Sequence, residues 1–209
     1  MFQKYEKDYL SKLTEEEIRN NFKIVAEMEP VKTITDDILK KYKGTLLDSI
    51  KQLFDEIGNN AINKEYGELS FYNTSAKNLI SHSPTKLKNI ALGALKEVLE
   101  NGKVLYYKKD YKQTEKDRMD IVAPVIIRCD EYSNNYMMGV GIIVSDSSKK
   151  VSLVEIIVEG ELANGFNTIV SPSVINNSPS MINVLQQVID VKNGTRTLDQ
   201  VTAIGIDSK

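Results

Sequence analysis

The sequence predicts an α+β protein in which helices come first and an antiparallel sheet follows. Apolar residues recur at helical spacing through much of the first half of the chain. From residue 103 onward the pattern changes to β-branched and aromatic runs separated by short polar connections. Because helices and strands occupy separate blocks, the order favours α+β over alternating α/β. We expect N-terminal helices packed on about four to five strands, followed by a C-terminal helix and tail.

Composition narrows the class of protein further. The 209 residues are 41% hydrophobic, which is enough for one well-cored domain with additions. Basic residues number 27 and acidic residues 29, so attraction to nucleic acid or membrane would need a local patch. The single cysteine, Cys129, excludes an internal disulfide and fits a buried thiol in a reducing compartment. No signal peptide or membrane-spanning run is recognisable, and we expect a cytoplasmic protein.

The first segment, residues 1–36, is predicted to be an N-terminal helical arm. The stretch "TEEE" is typical of a capping box, in which Thr14 caps the helix and Glu17 reaches back to it. Pro30 marks the expected end of the arm. A helix is therefore expected to begin close to Thr14.

Residues 37–160 form the predicted core. A helix "TLLDSIKQLFDEIG" stops at Gly58, a short strand "GELSFYN" follows, and "NTSAKNLISH" favours a short helix. Helical spacing resumes in "KLKNIALGALKEVLENG". The runs "KVLYY", "MDIVAPVIIRC", "YMMGVGIIVS" and "VSLVEIIVE" then predict an antiparallel meander. Gly139 and Gly141 lie inside a strand, which favours close backbone packing over phosphate binding.

Residues 161–209 are predicted to be a loop-rich C-terminal extension with one short helix. The stretch after Gly160 is rich in Asn, Ser, Thr and Pro, whereas "SMINVLQQVIDV", opened by Ser180, favours a helix. The last residues fit either a weak final strand or a tail.

The sequence lacks the usual signatures of nucleotide and metal chemistry, so no cofactor and no metal is expected. Metal-free acid/base chemistry is the remaining option, and RNA transesterification is its leading example, because RNA supplies its own 2′-hydroxyl nucleophile. The only histidine, His82, lies near Lys77 and Lys86 and could act as acid or base. The alternative is that His82 is a helix-end residue and the lysines form a solvated face.

A second basic stretch, "YYKKDYKQTEKDR", connects the first two strands of the meander. It carries Lys112 and Tyr111 among other cations and tyrosines, a combination that can hold phosphates and stack bases. An ordinary polar hairpin connection would have a similar composition.

The order of these parts resembles the barnase-EndoU-colicin E5/D-RelE-like nuclease domains of large polyvalent proteins from phages and other mobile elements. The resemblance covers about residues 15–160 and depends on "ALKEVLENGKV", followed after one hairpin by "APV" and then by "GVGIIV". It implies an RNase-like fold, with helices packed on a curved antiparallel sheet whose open face forms the active cleft.

The resemblance also implies site residues. His82 in "NLISH" matches a histidine at the end of the short helix after the first strand. A second histidine of the family falls on Val154 in "LVEI", with Glu155 beside it. The hairpin segment "YKQTE" retains Lys112 but not the glycines and the arginine of the family. The implied catalytic residues are therefore His82 and Glu155, with Lys77, Lys86, Lys112 and Tyr111 as contacts to RNA or phosphate.

Two functions remain open from the sequence. One is a mobile-element RNase-fold protein that engages RNA, or a ribonucleoprotein of the host, and cleaves it as a metal-independent ribonuclease. The other is a degenerate nuclease scaffold that binds a bacterial defence protein, such as an RNA-guided nuclease, in the manner of an anti-CRISPR protein. A toxin-like domain with a target other than RNA is a third possibility. No membrane partner is expected.

Overall fold

The computed structural model describes residues 14–81, 85–108, 111–113, 116–145, 150–160, 181–201 and 205–206. Its helices are α1 (Glu15–Glu27), α2 (Leu46–Glu56), α3 (Ser75–Ser81), α4 (Lys86–Ala91), α5 (Leu95–Asn101) and α6 (Met181–Lys192). Short 3-10 turns occur at Ile38–Lys41, Leu92–Ala94, Tyr111–Gln113 and Leu198–Gln200. The strands are β1 (Thr33–Ile34), β2 (Asn60–Asn63), β3 (Gly67–Phe71), β4 (Lys103–Lys108), β5 (Lys116–Cys129), β6 (Tyr132–Ser145), β7 (Lys150–Gly160) and β8 (Gly205–Ile206).

The α+β class is confirmed, and several helix ends follow the local chemistry of the sequence. Thr14 and Glu17 form the predicted capping box at the start of α1. Gly58, with φ of +79°, lies just after α2, in a conformation that glycine adopts without strain. The predicted helix between residues 86 and 101 is instead divided into α4 and α5 by the 3-10 turn Leu92–Ala94.

The sheet has more strands than the four to five expected, and it is mixed rather than antiparallel. Among the described residues eight strands pair in the order β2-β3-β7-β6-β5-β4-β8, with β1 alongside β5. The meander β4-β5-β6-β7 is antiparallel as predicted, but β1–β5, β3–β7 and β4–β8 are parallel pairs. The additional strands β1, β2 and β8 have two to four residues. Such short segments show little alternation in the sequence, because their pairing depends on the partner strand.

Helices cover both faces of this sheet. The first face packs against α2, α3, α4 and α5 through a large apolar core that includes Phe54, Leu95 and Ile121. The second face packs against α1 and α6 through a smaller core that includes Phe22 and Leu185. The helix of the predicted N-terminal arm and the helix of the predicted C-terminal extension thus share one face. The boundaries of the arm, core and extension remain predictions.

Cys129 is a buried free thiol at the end of β5, as expected from its apolar context. Among the described helices, none is long and apolar enough to span a lipid bilayer.

Candidate functional site

A row of four residues crosses the central strands on the second face of the sheet. Tyr106 on β4 pairs with Asp120 on β5, Asp120 with Gly141 on β6, and Gly141 with Glu155 on β7. Directly paired residues project from the same face of a sheet. Two carboxylates and a phenol ring therefore surround a position that carries no side chain, Gly141.

The guanidinium of Arg118 and the terminal methyl group of Met181, from the start of α6, share the space above Gly141. Nε of Arg118 donates to Oδ1 of Asp120 at 2.9 Å, and its Nη2 donates to Oε2 of Glu155 at 3.0 Å. The guanidinium carbon also lies 6.0 Å from the centre of the Tyr106 ring, at the limit of a cation–π contact. A Cβ atom at Gly141 would lie 3.1 Å from Nη2. Glycine at this position therefore allows one arginine to bridge two carboxylates on strands that are not neighbours.

The members of this cluster differ in their exposure to solvent. The side chain of Asp120 is fully buried, that of Arg118 is 11% exposed and that of Glu155 is 24% exposed. Burial raises the pKa of Asp120 to about 6, although the neighbouring Arg118 opposes the shift. Asp120 is therefore mostly ionised at neutral pH and orients Arg118 from the protein interior, whereas Glu155 is partly exposed to solvent.

A β-bulge in β7 turns Glu155 toward this cluster. Gly141 pairs with Glu155 while the next residue, Ile142, pairs with Leu153, so Val154 is the extra residue of β7. Leu153 and Glu155 would share a face in a regular strand. Leu153 instead packs in the core of the first face, and Glu155 contacts Arg118 on the second. The position where the family resemblance implied a second histidine is thus the bulge itself.

His82 lies outside the described residues, but the helix that precedes it is described. In α3, Oγ of Ser75 accepts from the amide of Leu153 at 3.0 Å, and Nδ2 of Asn78 donates to the carbonyl of Leu153 at 3.1 Å. These bonds hold α3 beside β7, with Leu79 in the core of the first face. The carboxylate of Glu155 lies two residues along β7, on the opposite face.

The predicted phosphate contacts lie in different parts of the structure. Lys77 is exposed on α3. The ammonium of Lys86 is 2.7 Å from Glu131 and 3.2 Å from Asp130 at the β5–β6 turn, and these carboxylates raise its pKa. Lys112 is exposed, and with Tyr111 it belongs to the connection between β4 and β5.

These positions decide which predicted residues the structure brings together. The β5–β6 turn and the β4–β5 connection are at opposite ends of β5, a 14-residue strand with a length of about 45 Å. Lys86 and Lys112 therefore cannot contact the same phosphate. Glu155 lies near the half of β5 that begins at Lys116, and this half is also the one next to the connection that contains Lys112.

The sequence interpretation included Tyr106 and Arg118 only as part of the basic stretch "YYKKDYKQTEKDR", missed Asp120, and grouped none of the three with Glu155. One signal was present: Arg118 and Asp120 stand two residues apart at the start of an otherwise apolar run, so they share one face of the strand. A charged side chain in such a run needs a partner of opposite charge. Their bridge to Glu155 had no sequence signal, because it depends on the register across β6. Among the described residues, no group of three or more His, Cys, Asp and Glu side chains is arranged to hold a metal ion.

The fold and the cluster together define a class: an α+β protein with helices on both faces of a mixed sheet and an arginine held between two carboxylates on one face. The chain belongs to the family described as large polyvalent protein-associated domain 3, whose model matches residues 37–151, more than half of the chain. The matched region includes Arg118, Asp120 and Gly141, and it ends shortly before Glu155. No curated protein and no solved structure matches the chain. The membership confirms the large polyvalent protein association and supports a mobile-element context.

Proposed function

We propose that the protein engages RNA and cleaves it by metal-free acid/base chemistry, with Glu155 and Arg118 at the centre of the site. One observation carries the proposal: a partly exposed carboxylate accepts a hydrogen bond of 3.0 Å from an arginine that a buried aspartate holds in place. RNA transesterification needs a base for the 2′-hydroxyl and a cation for the phosphate. Glu155 and Arg118 supply these two groups side by side.

The proposed reaction needs no external nucleophile. Glu155 accepts the proton of the 2′-hydroxyl, the 2′-oxygen bonds to phosphorus, and the bond from phosphorus to the 5′-oxygen breaks. The leaving 5′-oxygen takes a proton from an acid. The proposed acid is His82, which follows α3 and would have to reach this phosphate around the edge of β7, because α3 packs on the first face and Glu155 projects from the second. The products are a 2′,3′-cyclic phosphate and a free 5′-hydroxyl. Arg118, with five N–H donors, would stabilise the negative charge that develops on the phosphate oxygens.

The resemblance to nuclease domains supports this proposal, and the family membership supports the mobile-element context in which such domains occur. Lys77, Lys86, Lys112 and Tyr111 remain proposed contacts to RNA or phosphate. Of these, Lys112 and Tyr111 belong to the end of β5 nearer to Glu155. Lys77 is carried by α3, which contacts β7 through Leu153.

The test is cleavage of purified RNAs of varied sequence in the presence of EDTA, with analysis of the product ends. The expected products carry 2′,3′-cyclic phosphates. Glu155→Gln and His82→Ala should each lower the rate by ~100- to 10,000-fold, the usual contribution of a general acid or base. Glu68→Gln, on the exposed part of β3, is the matched control and should cleave normally. Intact RNA with the wild-type protein, or normal cleavage by Glu155→Gln, would contradict the proposal.

The binding alternative is favoured by a different observation. Lys86, a proposed phosphate contact, already forms ion pairs with Asp130 and Glu131. An RNase-like scaffold that inhibits a bacterial defence nuclease would need neither a free phosphate site nor turnover. In that case Glu155→Gln and His82→Ala would still bind and inhibit a purified RNA-guided nuclease. Loss of inhibition in both variants, or no effect of the wild-type protein on the nuclease, would contradict the alternative.

A further inference from the structure

Two lysines lie on the same face of the sheet as Arg118, beyond the cluster described above. Lys116 precedes Arg118 by two residues on β5, and Lys108 on β4 is the direct partner of Arg118. The residue between Lys116 and Arg118 faces the other way: Asp117 accepts a hydrogen bond of 2.7 Å from Tyr107, which packs in the core of the first face. Lys108, Lys116 and Arg118 therefore project from one face.

The spacing of these cations follows from sheet geometry. Residues two apart on a strand are about 6.7 Å apart, and neighbouring strands are about 4.8 Å apart. Lys116 is exposed and Lys108 is half-buried. Lys116 lies beyond Arg118 along β5, and Lys108 lies beside Arg118 on β4, so the three cations form a compact group at the end of the sheet nearest the β4–β5 connection. We call Lys108, Lys116 and Arg118 the cationic strip.

The charges around the strip favour an anionic ligand. Around Arg118 the three cations of the strip stand against two carboxylates, so the local charge is positive, whereas the protein as a whole has a formal net charge of −2. Asp120 and Glu155, the carboxylates at its inner end, both accept hydrogen bonds from Arg118. Asp110 and Glu115 of the same connection lie outside the described residues.

We propose that Lys108 and Lys116 bind backbone phosphates of single-stranded RNA on one side of the phosphate that reacts at Arg118 and Glu155. This inference rests on the proposed function and specifies its substrate. Two lysines within about 5–7 Å of Arg118, one on the same strand and one on the neighbouring strand, match the adjacent phosphates of a polyanion bound at Arg118. An unpaired RNA strand can follow this face and can also bring its 2′-oxygen into line with the bond that breaks, which the regular A-form duplex does not allow.

The experiment measures binding without chemistry. The probe is a short fluorescent single-stranded RNA with 2′-O-methyl groups throughout, which lacks the nucleophile, and affinity is measured at several salt concentrations. Lys108→Gln combined with Lys116→Gln should weaken binding by about tenfold at low salt. It should also reduce the slope of log affinity against log salt by about 1.4, or ~0.7 for each lost phosphate contact. Lys108→Arg combined with Lys116→Arg keeps both charges and should retain the slope. The matched control is Lys43→Gln, which replaces an exposed lysine near the start of α2.

The outcomes separate this inference from the proposed chemistry. If the wild-type protein binds the probe but the double glutamine variant keeps the wild-type slope, the strip is not the binding surface, whatever the result for Glu155. Equal affinity for a duplex of the same sequence would overturn the preference for single strands. Failure of the wild-type protein to bind would overturn the inference as a whole. A smaller slope of log affinity against log salt in the Lys108→Gln, Lys116→Gln double variant, but not in its arginine counterpart or in Lys43→Gln, would support the inference even if RNA cleavage is not observed.

Discussion

Asp120 and Glu155 hold one guanidinium between them from strands that are separated by β6. Arg118 donates to Asp120 at 2.9 Å and to Glu155 at 3.0 Å, above the bare backbone of Gly141. The buried aspartate fixes the arginine, and the arginine in turn fixes a partly exposed carboxylate. This arrangement gives Glu155 a defined position, which a base on a flexible surface side chain would lack.

The buried carboxyl group of Asp120 should make the free energy of unfolding depend on pH. Its pKa rises from 3.8 in the unfolded chain to about 6 in the fold. Between these two pKa values the carboxyl group of Asp120 keeps its proton in the folded protein and loses it in the unfolded chain. The contribution of Asp120 to stability is therefore greatest below pH 4 and declines as the pH rises to about 6. The decline is about 3 kcal/mol for a shift of this size. Asn at position 120 does not titrate, so the free energy of unfolding of the wild type should fall relative to Asp120→Asn between pH 4 and pH 7.

Urea unfolding of both proteins across this pH range checks the prediction. A difference between them that stays constant or increases with pH would show that Asp120 is ionised throughout in the folded state. Asp48→Asn is a control of opposite sign. The pKa of Asp48 is lowered by hydrogen bonds from Thr45, so its contribution to stability is lost as the pH falls below 4.

The second prediction concerns the charge balance of the cluster. Arg118→Met should lower the free energy of unfolding at pH 7 by about 3–5 kcal/mol, because it leaves Asp120 buried without its partner. Arg118→Met combined with Asp120→Leu should recover most of this loss, since both charges are then removed. The exposed Arg128, which donates to Ser133, is the matched control, and Arg128→Met should change stability by less than ~1 kcal/mol. A double variant as unstable as the single one would argue against the ion pair as the cause.

The third prediction concerns the contact between α6 and the sheet. A Cβ atom at Gly139 would overlap Sδ of Met181, the first residue of α6. Gly139→Ala should therefore cost about 1–3 kcal/mol through overpacking, whereas Gly93→Ala, with its nearest neighbour at 3.5 Å, should be almost neutral. Met181→Ala removes the clashing atom, so Gly139→Ala should cost less in that background. Additive costs in a double-mutant cycle, measured by chemical denaturation, would contradict the contact.

The fourth prediction concerns a buried amide that joins β2 to the end of α5. Nδ2 of Asn63 donates to the carbonyls of Leu99 and Gly102, and its Oδ1 accepts from the amides of Glu65 and Tyr66. Asn63→Ala should destabilise the protein by about 2–4 kcal/mol, because it leaves buried backbone groups without partners. In thermal or urea unfolding, Asn101→Ala, which removes one bond to Glu97, should cost less than ~1 kcal/mol. Similar costs for the two variants would contradict this role of Asn63.

The candidate site was only partly accessible from the sequence. Glu155 was identified through the family resemblance, and the structure places it beside an arginine. Arg118 and Asp120 were visible as charges in an apolar strand, but nothing in the sequence indicated that they meet Glu155. The predicted cations Lys86 and Lys112 lie at opposite ends of β5, because residues that are close to a motif in the sequence need not be close in a sheet.

The sequence by itself determined the α+β class, the antiparallel meander, the capping box at Thr14 and the helix end at Gly58, because these depend on periodicity and turn chemistry within a few residues. Only the tertiary structure decided the short parallel strands and the pairing of Asp120 and Glu155 with Gly141. It also decided the bulge at Val154 that turns Glu155 to the second face. The physical reason is that register across a sheet arises from packing between distant segments, and one extra residue in a strand reverses the face of every side chain that follows it.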